Sequence, residues 1–292
     1  MKKKRIGIIG GSGLYDIEGI QNVEHIQIST PYGDPSDKLI LGELEGKEVV
    51  FLPRHGRGHR YLPSEVNYRA NIWAMKKLDV EWILSVSAVG SLKKEIKPLD
   101  VVLVDQFIDR TNQGRKTTFF GDGIVAHIAF GHPICNDLSQ LIYEAGQDLG
   151  AGSRIHWNGT YLNMEGPAFS TKAESNLYRS WDVDVIGMTN LPEAKLAREA
   201  EICLATIALV TDYDCWHEDE EEAPVSVEMV IENMNKNVSL AKKLVKGTIK
   251  KIDLDKDCSC KHALENAIMT HRDAIPVEKI KQMDLLVGKY LK

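Results

Sequence analysis

No apolar run in this 292-residue chain approaches the roughly 20 residues that cross a bilayer. Only Ile6, Ile8 and Ile9 follow the basic opening Met1-Lys2-Lys3-Lys4-Arg5 before glycines begin, too few for the apolar region of a secretory leader. A surplus of positive charge is missing too. Lys and Arg number 36 against 42 Asp and Glu, a formal net charge of −6. An acidic chain with no long basic tract is a poor ligand for nucleic acid. Cysteines are few: Cys135, Cys203, Cys215, Cys258 and Cys260, odd in number and widely spaced, give no secreted disulfide framework. Cys258-Ser259-Cys260 is too short and isolated to hold zinc by itself, and His127 and His132 lack a second His or Cys pair. Linkers and internal repeats are absent. These absences predict a soluble cytoplasmic protein with no membrane or nucleic-acid partner and no metal site.

What is present is an alternation of strands and helices. Arg5 to Ile9 reads as a strand ended by Gly10-Gly11-Ser12-Gly13. Leu39 to Leu44 and Val49 to Leu52, joined through Glu45-Gly46-Lys47, read as a hairpin. Strands are also expected over Trp82–Val86, Val101–Val104, Thr160–Met164 and Val183–Gly187, and over the apolar run Ile202–Val210. Helices are expected over Pro63–Lys77, Leu138–Leu149, Lys172–Trp181 and Pro192–Glu201, and along the apolar stripe from Val227 to Val245. Thr111 to Pro133 has no period and reads as a long loop, more often functional than decorative. The pattern argues for one α/β domain over residues 1–292 with a mostly parallel or mixed sheet.

The chemistry concentrates at strand ends, where open α/β sheets bind ligands. Thr211-Asp212-Tyr213-Asp214-Cys215-Trp216 closes the longest apolar run, and the i, i+2 carboxylates point the same way if the strand continues. A carboxyl in a partly dry cleft holds its proton near neutral pH and donates it to a leaving group. The alternative, one Asp capping the next helix and the other solvated, stays open on this hexapeptide alone. Gly10-Gly11-Ser12-Gly13 can cradle an anion with backbone N–H groups and the Ser12 hydroxyl. It lacks the third glycine of a dinucleotide fingerprint, and a hairpin follows it, which counts against NAD. Arg54 offers a planar fork to phosphate, with His55 beside it. Ser87-Ala88 and Met188-Thr189 add small donors at further strand ends, and Phe169-Ser170 could set an aromatic ring against a planar base.

Gly10-Gly11-Ser12-Gly13-Leu14, Arg54-His55-Gly56, Asn67-Tyr68-Arg69-Ala70-Asn71-Ile72-Trp73-Ala74, Glu165-Gly166-Pro167, Met188-Thr189 and the Asp212–Trp216 segment together resemble the S-methyl-5′-thioadenosine phosphorylases. These form part of the trimeric branch of the purine nucleoside phosphorylase family. The resemblance runs to about Lys246, with 247–292 a less distinctive segment of the same domain. It implies a central mixed, partly barrel-like sheet flanked by helices, and a homotrimer or dimer of trimers. It assigns phosphate binding to Ser12, Arg54, His55, Ser87, Ala88 and Thr189. Met188 would line the ribose and Phe169 and Ser170 would border the purine. Asp212 and Asp214 would hold the purine's N7 and 6-amino edge. His127 of a neighbouring subunit, with Val227, Val230 and Ile231, would shape the 5′-methylthio pocket. Gly187 departs from the pattern, since many members carry Asn there.

The implied reaction is phosphorolysis of S-methyl-5′-thioadenosine, with inorganic phosphate as co-substrate and no metal or redox cofactor. Its physics suits the residues: charge that builds on the departing purine is neutralised by a protonated Asp212. Two other readings are a broader purine nucleoside phosphorylase acting on adenosine, inosine or guanosine, and a non-catalytic nucleotide-binding module. The carboxylate pair with Arg54 argues against the second, because a binder needs no acid for a leaving group. Resemblance to members from thermophilic archaea points to Cys135–Cys203 and Cys258–Cys260 disulfides, and the alternative of five free thiols stays open.

Overall fold

The computed structural model describes residues 3–11, 14, 17–217 and 227–291, with only the backbone of Val227 and Met229. Strands β1 (Arg5–Gly10), β2 (Gln21–Ile26), β3 (Leu39–Leu44), β4 (Lys47–Pro53), β5 (Val80–Ser91), β6 (Val101–Arg110), β7 (Ile155–Met164), β8 (Val185–Gly187) and β9 (Cys203–Asp212) form one nine-stranded sheet. Its order is β2-β3-β4-β1-β5-β8-β7-β6-β9, and β9 pairs back onto β5. That pairing closes β5, β8, β7, β6 and β9 into a barrel, with β2, β3, β4 and β1 extending from it as an open wing. Parallel pairs (β1 with β4 and β5, β9 with β5, β7 with β6 and β8) mix with antiparallel ones. The mixed, partly barrel-like α/β architecture expected from the sequence is the one observed.

β9 is buried at every residue, as a strand covered on both faces must be, and this is why it reads as a continuous apolar run. The β3–β4 hairpin turns at Glu45 and Gly46, both in the left-handed region (φ 52° and 72°), the geometry that matches strand twist. β2 gave no sequence signal: Gln21-Asn22-Val23-Glu24-His25 is an exposed edge with no apolar face.

Helices α1 (Tyr68–Lys77), α2 (Asn136–Asp148), α3 (Lys172–Ser180), α4 (Asn190–Glu199), α5 (Val227–Lys251) and α6 (Val277–Val287) flank the sheet. α1 begins five residues later than expected. Asn67 caps it by accepting the Ala70 N–H, while Leu62 N–H bonds to the Glu65 carboxylate in a separate preceding turn. The C-terminal segment folds back on the rest: Leu264, Ile275, Met283, Leu286 and Val287 belong to the same buried cluster as β1, β4 and β9. No helix among the described residues is long and apolar enough to cross a membrane.

Candidate active site

A cavity of about 270 Å³ opens where the carboxyl ends of β1, β4, β5, β8 and β9 converge. Its walls include Gly11, Arg54, His55, Ser87, Ala88, Phe169, Met188, Thr189, Asp212, Asp214 and Val230. Residues scattered over more than two hundred positions thus meet in one place, as the strand-end argument expects. Ser12 lies outside the described residues, as does the side chain of Val227.

Arg54 follows the last residue of β4 and is buried. It does not present an open fork. Its Nε donates to Glu193 Oε1 at 2.5 Å and its Nη2 to Glu193 Oε2 at 2.9 Å, while Nη2 also reaches Ser85 Oγ and Nη1 the Val86 carbonyl. Among the described residues that leaves one of five guanidinium N–H groups, on Nη1, for a ligand. Burial opposes the guanidinium charge, and Glu193 more than restores it. Ser85 donates to Glu193 and accepts from Asn190, whose amide oxygen takes the Thr206 hydroxyl. This chain of buried polar groups was invisible in sequence, because Glu193 sits in an ordinary helical pattern.

His55 is held by Nδ1 donating to the Tyr61 carbonyl at 2.8 Å, which leaves Nε2 as an acceptor. Burial first, then the Arg54 charge, lowers its pKa from 6.5 to about 4, so the ring is neutral at neutral pH. It stacks on His59, a cavity residue the sequence reading missed, with ring centroids 4.2 Å apart. Thr189 is the N-cap of α4, but its hydroxyl makes no capping bond. This hydroxyl remains for an anion, with the positive end of α4 behind it, although the Leu191 N–H is already given to Asn163 Oδ1 and Pro192 has none. Ser87 and Ala88 also line the cavity, though from within β5, since the strand runs on to Ser91. The expected stop at Val86 is corrected: beyond it β5 pairs with Ala208–Asp212 of β9 and with β8.

Met188 and Thr189 are fixed from behind by a group that sequence reasoning also missed. Arg115, in the long loop after β6, donates from Nε to Glu165 Oε1 at 2.9 Å, from Nη2 to the Glu165 carbonyl, and from Nη1 to the Met188 carbonyl. Glu165 Oε2 accepts the Asn112 and Gln113 N–H groups. Gly166 has φ 70°, and a Cβ there would stand 2.4 Å from Met188 Sδ. Gly187 has a comparable reason to be glycine: a Cβ would fall 2.0 Å from the Tyr161 hydroxyl, which fills the space beside it.

The carboxylate pair is brought together, but not by strand geometry. β9 ends at Asp212, and Asp214 turns into the left-handed region (φ 53°) to begin a 3-10 turn. The expectation that both side chains project alike along a continuing strand is corrected. Asp212 Oδ1 accepts the Asp214 N–H at 2.8 Å, and Oδ2 accepts the Thr211 hydroxyl at 2.7 Å. Burial raises the pKa of Asp212 against both bonds. Burial also raises that of Asp214, reinforced by the charge of Asp212, while Ser175 and Ser170 oppose the shift. Among the described residues Asp214 Oδ2 is buried with no well-formed hydrogen bond, although the Ser175 and Ser170 hydroxyls stand near enough to the carboxyl to favour its charge. A buried oxygen of that kind calls for a donor.

The remaining expected residues divide. Phe169 stands half-exposed at the rim. Ser170 is not a wall residue: its hydroxyl faces Met164 Sδ, its carbonyl accepts the Cys215 thiol, and it sits beside Asp214. On α5 the wall is Val230, Met234 and Val238, a stripe at steps of four. Ile231 is corrected: one residue round the helix from that stripe, it is 52% exposed and does not line the cavity. His127 lies on a separate cleft of this chain, beside Cys135, Cys258 and Cys260. Neither the Cys135–Cys203 nor the Cys258–Cys260 disulfide is formed in the structure.

The profile of the phosphorylase superfamily matches residues 5–250. The S-methyl-5′-thioadenosine phosphorylase of Geobacter sulfurreducens is 58% identical over 98% of this chain and 99% of its own length. Among solved structures, a methylthioadenosine phosphorylase from an antarctic soil metagenomic library superposes with a TM-score of 0.91 at 47% identity, covering 98% of this chain and 99% of the other. The methylthioadenosine phosphorylase of Schistosoma mansoni in complex with adenine gives 0.82 at 37% identity, over 90% of this chain and 97% of the other. With most of its length matched by the profile and nearly all of it by such relatives, the chain belongs to the phosphorylase superfamily.

Proposed function

We propose that this protein is a pentosyltransferase that cleaves S-methyl-5′-thioadenosine with inorganic phosphate, yielding adenine and 5-methylthioribose 1-phosphate. The C1′–N9 bond breaks, a phosphate oxygen bonds to C1′, and the base leaves with a proton. One observation carries the choice of base: among the described residues, Asp214 Oδ2 is a buried carboxyl oxygen with no well-formed hydrogen bond. An adenine 6-amino group supplies one, whereas a 6-oxo group would set acceptor against acceptor, at a cost of about 1–3 kcal/mol.

Asp212, whose pKa burial raises, serves as the acid at N7. Thr211 supports either protonation state, since its hydroxyl lies within reach of both Asp212 Oδ2 and the Val89 carbonyl. Phosphate sits at the other end of the cavity, with Ser12, Arg54, His55, Ser87, Ala88 and Thr189. Neutral His55 accepts there from a protonated phosphate oxygen through Nε2, and α4 presents its positive end. No metal or redox cofactor takes part in this reaction. The apolar stripe of α5 receives the methylthio group. In a homotrimer or a dimer of trimers, the partner subunit's His127 completes that end, and the enzyme works in the cytoplasm.

The test is base release from S-methyl-5′-thioadenosine, adenosine and inosine, each with and without phosphate. Phosphate-dependent release, fastest from the methylthio nucleoside, is expected. Full-rate release in phosphate-free, arsenate-free buffer would make the protein a hydrolase instead, and equal use of all three nucleosides would favour the broad-range phosphorylase.

A further inference from the structure

Away from the nucleoside cavity, the fold gathers four of the five cysteines. The Sγ atoms of Cys135, Cys203, Cys258 and Cys260 all lie within 4.8 Å of one another, and all four residues are buried. They come from three places in the chain. Cys135 is the N-cap of α2, tied to β9 by its N–H on the Leu204 carbonyl. Cys203 opens β9. Cys258 and Cys260 flank Ser259 where a 3-10 turn, Ser259–His262, begins after α5. In the sequence Cys258-Ser259-Cys260 stands isolated; the fold supplies the other two thiols.

We propose that Cys135, Cys203, Cys258 and Cys260 form a tetrathiolate site for a single zinc ion, which clamps the C-terminal segment to the α/β core. The arrangement is tetrahedral in scale. Zinc–sulfur bonds of about 2.3 Å place sulfurs about 3.8 Å apart around one ion. Cys135 Sγ and Cys258 Sγ stand 3.6 Å apart. That contact joins Cys135 to Cys258, a pair outside a Cys135–Cys203 and Cys258–Cys260 disulfide pattern. A multi-iron cluster needs its sulfurs spread more widely than one ion does, which the mutual 4.8 Å limit opposes.

Cys135 is the N-cap of α2 and makes no side-chain capping bond, so its sulfur is not engaged by that helix end. Arg198 lines the cleft that opens beside Cys135, Cys258 and Cys260, offering positive charge to a site of net charge −2, although Asp137 lines it too, and the cleft offers a route for the ion. Binding forms four Zn–S bonds and releases the thiol protons to solvent. No electron moves, so no oxidant is needed, unlike disulfide formation. The clamp closes a long loop: 123 positions separate Cys135 from Cys258. Lys289 and the Leu264 N–H reach Glu201 from the same C-terminal segment, two residues before Cys203 in the chain.

The experiment is elemental analysis and thiol counting on the whole protein, purified without chelator or added reductant. One zinc per chain is expected, released in step with four thiols as a mercurial titrates them, with Cys215 reacting independently. Cys258→Ser should lose the zinc and lower the thermal midpoint while phosphorolysis persists, and Cys215→Ser should keep the zinc. The titration of the unaltered protein decides the matter even where Cys258→Ser fails to fold. Zinc-free protein with five reactive thiols after denaturation, or with a single one because two disulfides have formed, would overturn the proposal.

Discussion

Glu193 holds Arg54 by two hydrogen bonds, so the buried guanidinium at the cavity is already neutralised before any anion arrives. The attraction for phosphate then comes from the α4 N-terminus, from hydroxyls and from the last Arg54 N–H, rather than from net charge. Removing one partner of a buried pair typically costs about 3–5 kcal/mol. Glu193→Gln should therefore lower stability by about that amount in urea denaturation. Its amide would also set a donor against Arg54 Nε. A loss below about 1 kcal/mol would mean that the pair matters little for the fold.

Asp212→Asn should reduce kcat by roughly 10²-fold or more, with a smaller effect on KM, because an amide cannot deliver the proton that the departing base requires. The pH profile carries the same information. Burial raises the Asp212 pKa, the acid form is the active one, and kcat should fall as pH climbs through that value. The alkaline limb should vanish in Asp212→Asn. A folded variant with near-normal kcat would remove Asp212 from the acid role.

Asp214→Asn should change what the enzyme accepts more than how fast it works. An amide can donate to a 6-oxo group as readily as it accepts from a 6-amino group. The kcat/KM ratio of adenosine to inosine should drop by about tenfold, the equivalent of about 1.4 kcal/mol. An unchanged ratio would mean that Asp214 Oδ2 does not meet the 6-position.

A separate titration lies in α4. Glu199 is buried, accepts from the Thr118 hydroxyl and the Phe119 N–H, and has its pKa pushed by burial from 4.5 to about 7. In the unfolded chain it loses its proton near 4.5. Between the two values the folded state holds the extra proton, so stability falls as pH rises from about 4.5 to 7 and levels off above that. The loss is on the order of 3 kcal/mol by the pKa difference. Glu199→Gln retains both contacts if the Thr118 hydroxyl reverses direction. It should match the parent near pH 5 and exceed it at pH 8, as read by denaturant midpoints. A variant that tracks the parent across this range would contradict the shift.

Most of the barrel strands were legible because burial on both faces writes apolar runs into the chain. The cavity residues were legible where a strand end coincided with an unusual side chain, as at Arg54, Thr189 and Asp212. What escaped was long-range pairing. Nothing near Arg115 in sequence announces that it braces Met188, and Glu193 looks like any helical glutamate until Arg54 is placed against it. Helical phase escaped as well: Val230 and Ile231 are adjacent apolar residues, and only the packing of α5 tells which one faces inward. The four thiols are the extreme case, since Cys135, Cys203 and the Cys258–Cys260 pair acquire a relation only through β9 and the returning C-terminal segment.

The contact between Gly187 and Tyr161 places a constraint on history as well as on shape. The tyrosine hydroxyl stands 2.0 Å from where a side chain at 187 would begin, and its ring carbon 2.6 Å away. An Asn at position 187 and this tyrosine compete for one space, so a chain carrying both must displace the tyrosine. Exchange of bulk between the two positions is then easiest in one order. The smaller residue at 187 comes first on the way in, and a smaller residue at 161 comes first on the way back. Either path crosses an intermediate with an unfilled gap beside the site, which leaves a cavity in place of a clash. Lineages should accordingly show the pair as small-with-large or large-with-small, with the doubly small state as the bridge between them.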